Sequence, residues 1–415
     1  MSSSTLSRRR FLGTTVGAGL VGVSAGTTTR LAFGDPNDPA TGDILVSVFL
    51  RGGADGLSLI PAYGDPDYAR VRPTIAVPRP GQANGALDLN GYFGMHPAMR
   101  NLYQTAWGNG HLAVVHAVGL PDAESDTRSH FEAQDYWERS SVDISLRTGW
   151  IGRYLGAAGA TSVVSGVGIR SALPVALHGF SGTLAVYSLN GFRLDGFPSA
   201  DMASVGAQLN AMYASVPGPL GSAARSALTA TELISTAGGI GTQNGAVYPN
   251  TGAGRDLRAV AQLIRANIGL RAACVDVGGW DMHENMGTPA SGQMADRARQ
   301  LADALAAFYT DLGTGMNEVT VVTMSEFGRT VEENGSGGLD HGRGSCMMVM
   351  GGSIRGGVYT NWPTLRAGLD RNDDLLVTTD FRTVLAEIVQ KRLDPAALGS
   401  VFPGFGVPTL LNLAQ

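Results

Sequence analysis

Short apolar runs alternate with amphipathic stretches along most of the chain. The runs lie at residues 43–50, 112–118, 272–277, 319–324 and 346–350. Most are apolar at every position, which is typical of parallel strands that are covered on both faces. The runs therefore predict the strands of a mostly parallel central sheet.

Amphipathic helices are predicted between these runs. In residues 291–312, Met294, Leu301, Leu305 and Phe308 recur at helical spacing, and a glycine follows as a stop. Residues 256–268 and 380–393 show the same spacing. Strands that alternate with helices predict an α/β fold with helices on both faces of the sheet.

Residues 161–254 differ from the rest of the chain. They are rich in Gly, Ser and Ala, have weak strand signals, and contain helical patterns at residues 200–213 and 222–235. We interpret this segment as an insertion or cap on the sheet and not as an independent domain.

The first residues have the pattern of an export signal. Residues 7–12 (SRRRFL) form a twin-arginine motif, and the mildly apolar residues 13–26 follow. That stretch is shorter than the roughly 20 apolar residues of a membrane span. Residues 32–34 (AFG) offer small side chains to a signal peptidase. We therefore expect a removable signal over residues 1–34 and one mature α/β domain over residues 35–415.

This signal predicts a location and restricts the partners. The twin-arginine export machinery would carry the folded protein to the periplasm or outside the cell, often with a cofactor already bound. Residues 1–34 hold four of the 30 Lys+Arg and none of the 35 Asp+Glu, so the remainder carries 26 minus 35, or −9. A mildly acidic chain without basic clusters argues against nucleic acid as a partner. No other segment is long and apolar enough for a membrane span.

The two cysteines allow two interpretations. Cys274 and Cys346 both lie in strand-like runs. A disulfide between strands is compatible with the periplasm, and two buried thiols are compatible with the same pattern.

Polar residues follow the predicted strands at the end where ligands bind in parallel α/β sheets. Asp281 and His283 come directly after residues 272–277. Two such residues, two positions apart, can reach one divalent ion, and oxygen with imidazole suits Zn, Mn or Fe better than Ca or Mg. The alternative is a helix cap beside a surface histidine.

Three further positions share this arrangement. Asp55 lies in a glycine-rich turn after the first run, Glu326 follows residues 319–324, and Asp340 with His341 precedes the last run. Each has a structural alternative: a turn carboxylate, a cap and a loop pair, respectively.

A helix start offers a candidate nucleophile. Residues 126–131 (DTRSHF) open a predicted helix that continues to Glu138. Ser129, or Thr127 in its place, would lie among free backbone N–H groups that also hold anions. A helix N-cap is the alternative role for Ser129.

Taken together, these motifs resemble the bacterial domain-of-unknown-function 1501 family over essentially the whole mature chain. The motifs are RGGADG at 51–56, RSHFEAQD at 128–135, GGWDMH at 278–283, SEFGRT at 325–330 and DHG at 340–342. That family is similar to the alkaline phosphatase superfamily, which includes sulfatases. The resemblance implies an alkaline-phosphatase-like fold and a metal-dependent hydrolase that acts on a small anionic phosphate or sulfate ester.

The resemblance also implies roles for particular residues. One ion, Zn, Mn or similar, would be held by Asp281, His283 and His341, and a second by Asp55 and Glu326. Ser129 falls in the nucleophile region, Arg329 or Arg128 would hold the ester's outer oxygens, and Asp340 with His341 is an alternative match to the superfamily's Asp-His pair. Phe327 stands where the superfamily usually has a metal-binding histidine.

Two other functions remain open at this stage. A non-catalytic periplasmic or surface protein would keep the fold and one metal, as Phe327 and the absence of a recognised nucleophile sequence suggest. A redox protein is a further alternative, although the chain has no dinucleotide fingerprint and no cysteine cluster motif.

Overall fold

The computed structural model describes residues 43–121, 123–194, 202–370, 372–406 and 408–415. The predicted export signal, residues 1–34, lies outside these ranges. None of the described helices is long and apolar enough to cross a bilayer.

The described residues form the alternation of strands and helices that the sequence predicts. The strands are β1 Ile44–Leu50, β2 Leu87–Asp88, β3 Gly94–Met95, β4 Leu112–Gly119, β5 Gly166–Gly168, β6 Thr183–Ala185, β7 Ala272–Val277, β8 Val319–Met324, β9 Ser345–Met350, β10 Gly357–Tyr359 and β11 Thr379–Asp380. The α-helices are α1 Gly56–Leu59, α2 Tyr68–Val71, α3 Arg100–Leu102, α4 His130–Arg139, α5 Trp150–Ala157, α6 Met202–Ala214, α7 Gly218–Gly238, α8 Gly252–Ala266, α9 Gln293–Leu312, α10 Phe381–Ile388 and α11 Leu398–Val401. All five strands predicted from apolar runs are present, and β7 and β8 have the predicted bounds.

Nine of these strands form one mostly parallel sheet. Its order is β10-β4-β9-β8-β1-β7-β5-β6, with β11 paired to β4. Only β9 runs against its neighbours, because it pairs antiparallel with both β4 and β8. The predicted α/β class with a mostly parallel sheet is therefore confirmed.

Helices cover both faces of this sheet, and β1 shows how. Its alternate residues Ile44, Val46, Val48 and Leu50 belong to a core that includes α8 and α9. Leu45 and Phe49 point the other way, into a core built with α4, α5 and α10. This explains why the strands are apolar at nearly every position, since neither face of the sheet is left for polar side chains.

The segment predicted as an insertion contributes to the same sheet. Strands β5 and β6 extend it beyond β7, and helices α6 and α7 follow. The described part of this segment also contains a small separate apolar cluster around Val205, Leu209 and Tyr213. The division into one domain with an insertion stays a prediction.

The two cysteines are buried free thiols. Cys346 belongs to the core on the α8 and α9 side, whereas Cys274 belongs to the core on the opposite face. Their strands, β9 and β7, are separated in the sheet by β8 and β1. Of the two interpretations open from the sequence, the structure supports the unbonded one.

Candidate metal centre

Three loops leave the sheet at the same edge. In the register of the parallel strands, Leu50 of β1 pairs with Val277 of β7, and Phe49 pairs with Met324 of β8. The segments that follow these strands therefore start side by side. Gly52, in the first loop, has a φ of +116°, and a Cβ there would lie 2.6 Å from the backbone nitrogen of Asp281. Only glycine fits so close a contact in that conformation.

The reversed direction of β9 adds a fourth segment. Because β9 is antiparallel to β8, residues that precede β9 lie at the edge where β8 ends. Residues 328–330 and 340–343 pair there: Arg329 bridges His341, and Gly328 N donates to Arg343 O at 2.8 Å. This pairing places Asp340 and His341 beside Glu326.

Helix α4 supplies the fifth segment of the candidate site. Its first residue is His130, preceded by Ser129 in an extended N-cap conformation. His130 lies within the RSHFEAQD motif, but no role was predicted for it from the sequence. Its position at a helix start, in a motif with other polar residues, was the only signal that could have identified it.

Three histidines and one aspartate converge at this edge. The Oδ1 atom of Asp281 lies 3.0 Å from Nε2 of His283 and 3.4 Å from Nε2 of both His130 and His341. The Nε2 atoms of His283 and His341 are 3.0 Å apart. Ligand atoms of His130, Asp281 and His341 all lie within 4.8 Å of one another. We call His130, Asp281, His283 and His341 the histidine–aspartate group.

Each histidine of the group is held through its other ring nitrogen. The acceptors are Glu326 Oε1 for His130, at 2.8 Å, Asp340 Oδ1 for His283, at 2.8 Å, and the Arg128 carbonyl for His341, at 2.9 Å. A neutral imidazole that donates through Nδ1 presents a lone pair at Nε2. All three Nε2 lone pairs therefore face the same carboxylate oxygen.

This arrangement fits a divalent cation. Two nitrogen lone pairs 3.0 Å apart repel each other unless a positive charge lies between them. The Nε2 atom of His130 is buried and has no hydrogen-bond partner among the described residues. Imidazole nitrogen with carboxylate oxygen suits Zn, Mn or Fe.

Asp281 is kept charged by Arg329. Burial disfavours the carboxylate, but the guanidinium of Arg329 outweighs it and lowers the pKa of Asp281 to about 2. The Nη2 atom of Arg329 donates to Asp281 Oδ1 at 2.6 Å.

The remaining donors of Arg329 are also in use. They point to the carbonyls of Gly52, Gly53, Trp280 and Leu339 and, at 3.5 Å, to Nε2 of His283. Arg329 is 2% exposed. From the sequence, Arg329 was expected to hold a substrate's outer oxygens. The structure instead places it behind the group, where it joins the loops and orients Asp281, because it has no donor left for a substrate.

Glu326 supports the group from behind. Its Oε1 atom accepts from the backbone N–H of Gly52, from Gln134 Nε2 and from His130 Nδ1, each at 2.8 Å. Burial raises the pKa of Glu326, but these donors outweigh it and the net pKa is lowered. The bond to Glu326 in turn raises the pKa of His130. Glu326 was predicted as a metal ligand, and the structure places it behind His130, whose ring it orients as a hydrogen-bond acceptor.

Asp340 has the same kind of role. It accepts from the ring of His283, and this bond holds the pKa of Asp340 below its usual value. Its side chain is 59% exposed. Asp340, which was predicted as a metal ligand, therefore lies behind His283 and outside the histidine–aspartate group.

Asp55 does not join the group. Its two carboxylate oxygens accept from Nη1 and Nη2 of Arg72, the latter at 3.0 Å. Burial disfavours the charged form of Asp55, but Arg72 outweighs it and lowers the pKa. Both residues are buried, so this is an internal ion pair. A second ion held by Asp55 and Glu326, as the resemblance implied, is not supported by these contacts.

The hydroxyl candidates lie at the start of α4. Ser129 makes no side-chain capping hydrogen bond, and its backbone N–H donates to Thr127 Oγ1 at 3.2 Å. The Thr127 hydroxyl donates to Glu132 at 2.6 Å. Neither hydroxyl has a described contact with the histidine–aspartate group, so neither role as nucleophile has gained support.

Phe327 forms an apolar wall on one side of the group. Its ring lies 4.8 Å from the rings of both His130 and His341, and it is 5% exposed. On the other side, the side chains of Asp281 and His283 are 47% and 43% exposed. The exposed side chains of Asp281 and His283 therefore form the open side of the group.

Comparisons with known proteins identify a family for this chain and two remote structural likenesses. A family model described as "Protein of unknown function (DUF1501)" matches residues 43–386. No protein of curated function matches the chain. Among solved structures, the chain is similar to alkaline phosphatase from the Antarctic bacterium TAB5, at 11% identity and a TM-score of 0.29, over 78% of this chain and 95% of that one. A variant of that enzyme with Mg bound gives 11% identity and a TM-score of 0.28 over the same shares. Likenesses of this size carry no information about the site.

Proposed function

Because this chain belongs to the DUF1501 family of proteins of unknown function, we propose a function from the site itself: an exported, metal-dependent hydrolase that binds one divalent ion in the histidine–aspartate group. One observation carries this proposal. Three Nε2 lone pairs face a single carboxylate oxygen, and each ring is fixed by its own acceptor. Such outer acceptors are the usual companions of metal-binding histidines.

The ion would supply the chemistry that these side chains lack. When bound, a divalent ion polarises an ester oxygen and lowers the pKa of a water molecule. The chain's own residues prepare the place for it. Arg329 keeps Asp281 ionised, the three acceptors keep the histidines in one tautomer, and Phe327 excludes water from one side.

The proposed substrate is a small phosphate or sulfate ester. The resemblance of the sequence motifs to the alkaline phosphatase superfamily supports this class. Arg128 is a guanidinium next to the group: it donates to the His341 carbonyl, pairs with the buried Asp374 at 2.6 Å, and has a side chain that is 37% exposed. It is the residue we expect to attract an anion to the open side.

A single ion is the number that the contacts favour. Asp55 is committed to Arg72, and Phe327 offers no ligand atom. We therefore expect elemental analysis of the exported protein to give one ion per chain. We also expect turnover of an aryl phosphate or an aryl sulfate that is lost in Asp281→Ala. An ion-loaded protein that hydrolyses neither class would refute the hydrolase assignment and leave the metal centre standing.

A non-catalytic metal protein is the second candidate, and the number of donors favours it. Four protein ligands fill the tetrahedral shell of Zn²⁺, which is typical of structural sites. Mn²⁺ prefers six ligands and would keep positions open. The two candidates therefore differ in the native ion. Zn²⁺ in the exported protein, with no turnover after exchange to Mn²⁺, would establish the structural role.

We also propose that the twin-arginine machinery exports the folded protein to the periplasm or beyond. The motif at residues 7–12 supports this, and it lies outside the described residues. Replacing Arg8 and Arg9 by lysine should leave the protein in the cytoplasm, as cell fractionation would show. Normal export of that double variant would argue against this route.

A further inference from the structure

The histidine–aspartate group is connected to a polar row along one face of α4. His130, Gln134 and Glu138 are four residues apart, so their side chains lie on the same face of the helix. His130 and Gln134 both donate to Glu326 Oε1, at 2.8 Å each. Glu138 pairs with Arg51, which follows β1.

Arg51 determines which way the Gln134 amide points. Its Nη1 donates to Gln134 Oε1 at 3.1 Å, and its Nε donates to Asp276 at 3.0 Å. A guanidinium has no acceptor atom, so the atom of Gln134 that faces it must be the oxygen. The amide NH₂ of Gln134 then necessarily faces Glu326.

The same logic continues to the ion-binding atom. Glu326 Oε1 faces N–H donors from Gly52 and Gln134, so it acts there as an acceptor. His130 must therefore donate to it through Nδ1, which leaves the lone pair on Nε2, 3.4 Å from Asp281 Oδ1. Arg51 donates to Gln134 and Gln134 donates to Glu326, whereas His130 donates to Glu326 from the other side, so Glu326 is the acceptor where the two directions meet.

We propose that Gln134 is a positioning residue for the metal centre, which acts through Glu326 to hold His130 in the tautomer that binds the ion. This inference rests on the proposed function for the ion, but the effect on the tautomer does not require the ion to be present. The described hydrogen bonds of the Gln134 side chain go to Arg51 and Glu326 and not to the histidine–aspartate group.

The test uses Gln134→Met, which keeps the length of the side chain and removes both hydrogen bonds. Long-range ¹H–¹⁵N spectra of the metal-free protein report which ring nitrogen of His130 carries the proton. We expect Nδ1–H in the wild-type protein and a mixture of both tautomers in Gln134→Met, because Glu326 Oε1 loses one of the donors that hold it against His130 and can turn away from the ring. Titration with Zn²⁺ should show a dissociation constant about 10- to 100-fold weaker with one ion still bound at saturation.

Two further variants make the result unambiguous. Asp135→Asn changes the next residue of α4, which pairs with Arg139 away from the group, and should leave tautomer and affinity unchanged. Gln134→Glu presents a carboxylate to Glu326 and should weaken Zn²⁺ binding at least as much as Gln134→Met does. It serves as the second probe if Gln134→Met folds poorly.

The outcomes separate the two proposals. Unchanged tautomer and affinity in Gln134→Met, or a loss of thermal stability alone, would overturn the positioning role while the metal centre stands. A wild-type protein that binds no ion, together with a tautomer change in Gln134→Met, would instead refute the proposed function and keep the role of Gln134.

Discussion

Two aspartates that follow neighbouring strands have opposite surroundings. Asp55 follows β1 and gives both oxygens to the buried Arg72. Asp281 follows β7, shares one oxygen with Arg329 and three histidines, and is half-exposed. Carboxylates in similar positions along the sequence therefore stabilise the fold in one case and form a ligand site in the other.

We predict that Asp55→Asn lowers stability without removing the ion. The substitution leaves the Arg72 charge buried without its counter-charge, which costs about 3 kcal/mol. Chemical denaturation should show this loss, and elemental analysis should still find one ion. Asp67→Asn is the control, since its partner Arg70 is exposed and such surface ion pairs contribute little to stability. Loss of the ion in Asp55→Asn would restore Asp55 as a ligand.

Asp340 provides a second prediction at this scale. Its contact with His283 needs only an acceptor oxygen, which an asparagine also has. We expect Asp340→Asn to weaken ion binding by less than about 10-fold, and Asp340→Ala to weaken it by up to about 100-fold. Isothermal titration with Zn²⁺ measures both. Equal, near-complete loss in the two variants would mean that Asp340 binds the ion directly.

The sequence could predict part of this group and not the rest. Asp281, His283 and His341 were predicted because each stands next to a strand-like run. His130 was missed because its role depends on the packing of α4 against Glu326, a residue 196 positions away. Arg72 shows the same limit, since nothing in its local sequence connects it to Asp55.

At the scale of the secondary-structure elements, the direction of β9 decides which residues reach the candidate site. An apolar run predicts a strand but not its direction, so the antiparallel β9 was not foreseen. That direction brings the residues before β9 to the edge where the other strands end. In a wholly parallel sheet, His341 would lie at the opposite edge from Asp281.

The turn after β1 gives a prediction at this scale. We expect Gly52→Ala to lower stability and weaken ion binding together, because a Cβ at φ +116° would meet the backbone of Asp281 at 2.6 Å. Strain of this kind costs roughly 1–3 kcal/mol. Gly278→Ala is the matched control in the loop after β7, since a Cβ there has nothing within 4 Å. Thermal melting with and without Zn²⁺ distinguishes the two. A Gly52→Ala protein that melts and binds Zn²⁺ like Gly278→Ala would show that the loop can shift enough to accommodate the added Cβ.

At the scale of the whole molecule, the proposed ion site joins segments that are distant in the sequence. The group takes ligands from α4, from the loop after β7 and from the segment before β9. An ion that binds only the folded chain stabilises it by mass action, by about 4 kcal/mol at a concentration 1,000 times its dissociation constant. Stability measurements therefore have to fix the ion concentration before other effects are compared.

Away from the metal centre, buried histidines give the fold a dependence on pH. His116 in β4 is fully buried: its Nε2–H faces the Ile60 carbonyl at 3.0 Å, and its Nδ1 accepts from the backbone N–H of Ala117. Burial lowers the pKa of His116 to about 4, with Asp55 and Arg72 acting in opposite senses. Burial lowers the pKa of His96 to about 4 as well.

These lowered pKa values predict a loss of stability in acid. Between about pH 4 and an unfolded-state pKa near 6.5, the unfolded chain binds more protons at these histidines than the folded chain does. The contribution of the two histidines to the free energy of unfolding is therefore fully present above about pH 6.5. It is lost as the pH falls toward 4, up to roughly 3 kcal/mol for each histidine. We expect His116→Gln, whose amide can both donate and accept at this position, to flatten the decline of the unfolding free energy between pH 6.5 and 4. Urea denaturation measures how the unfolding free energy of the wild-type and His116→Gln proteins changes with pH. The protein is treated with a chelator first, which excludes ion release as a cause. Identical slopes in the wild-type and His116→Gln proteins would show that His116 is not the group responsible.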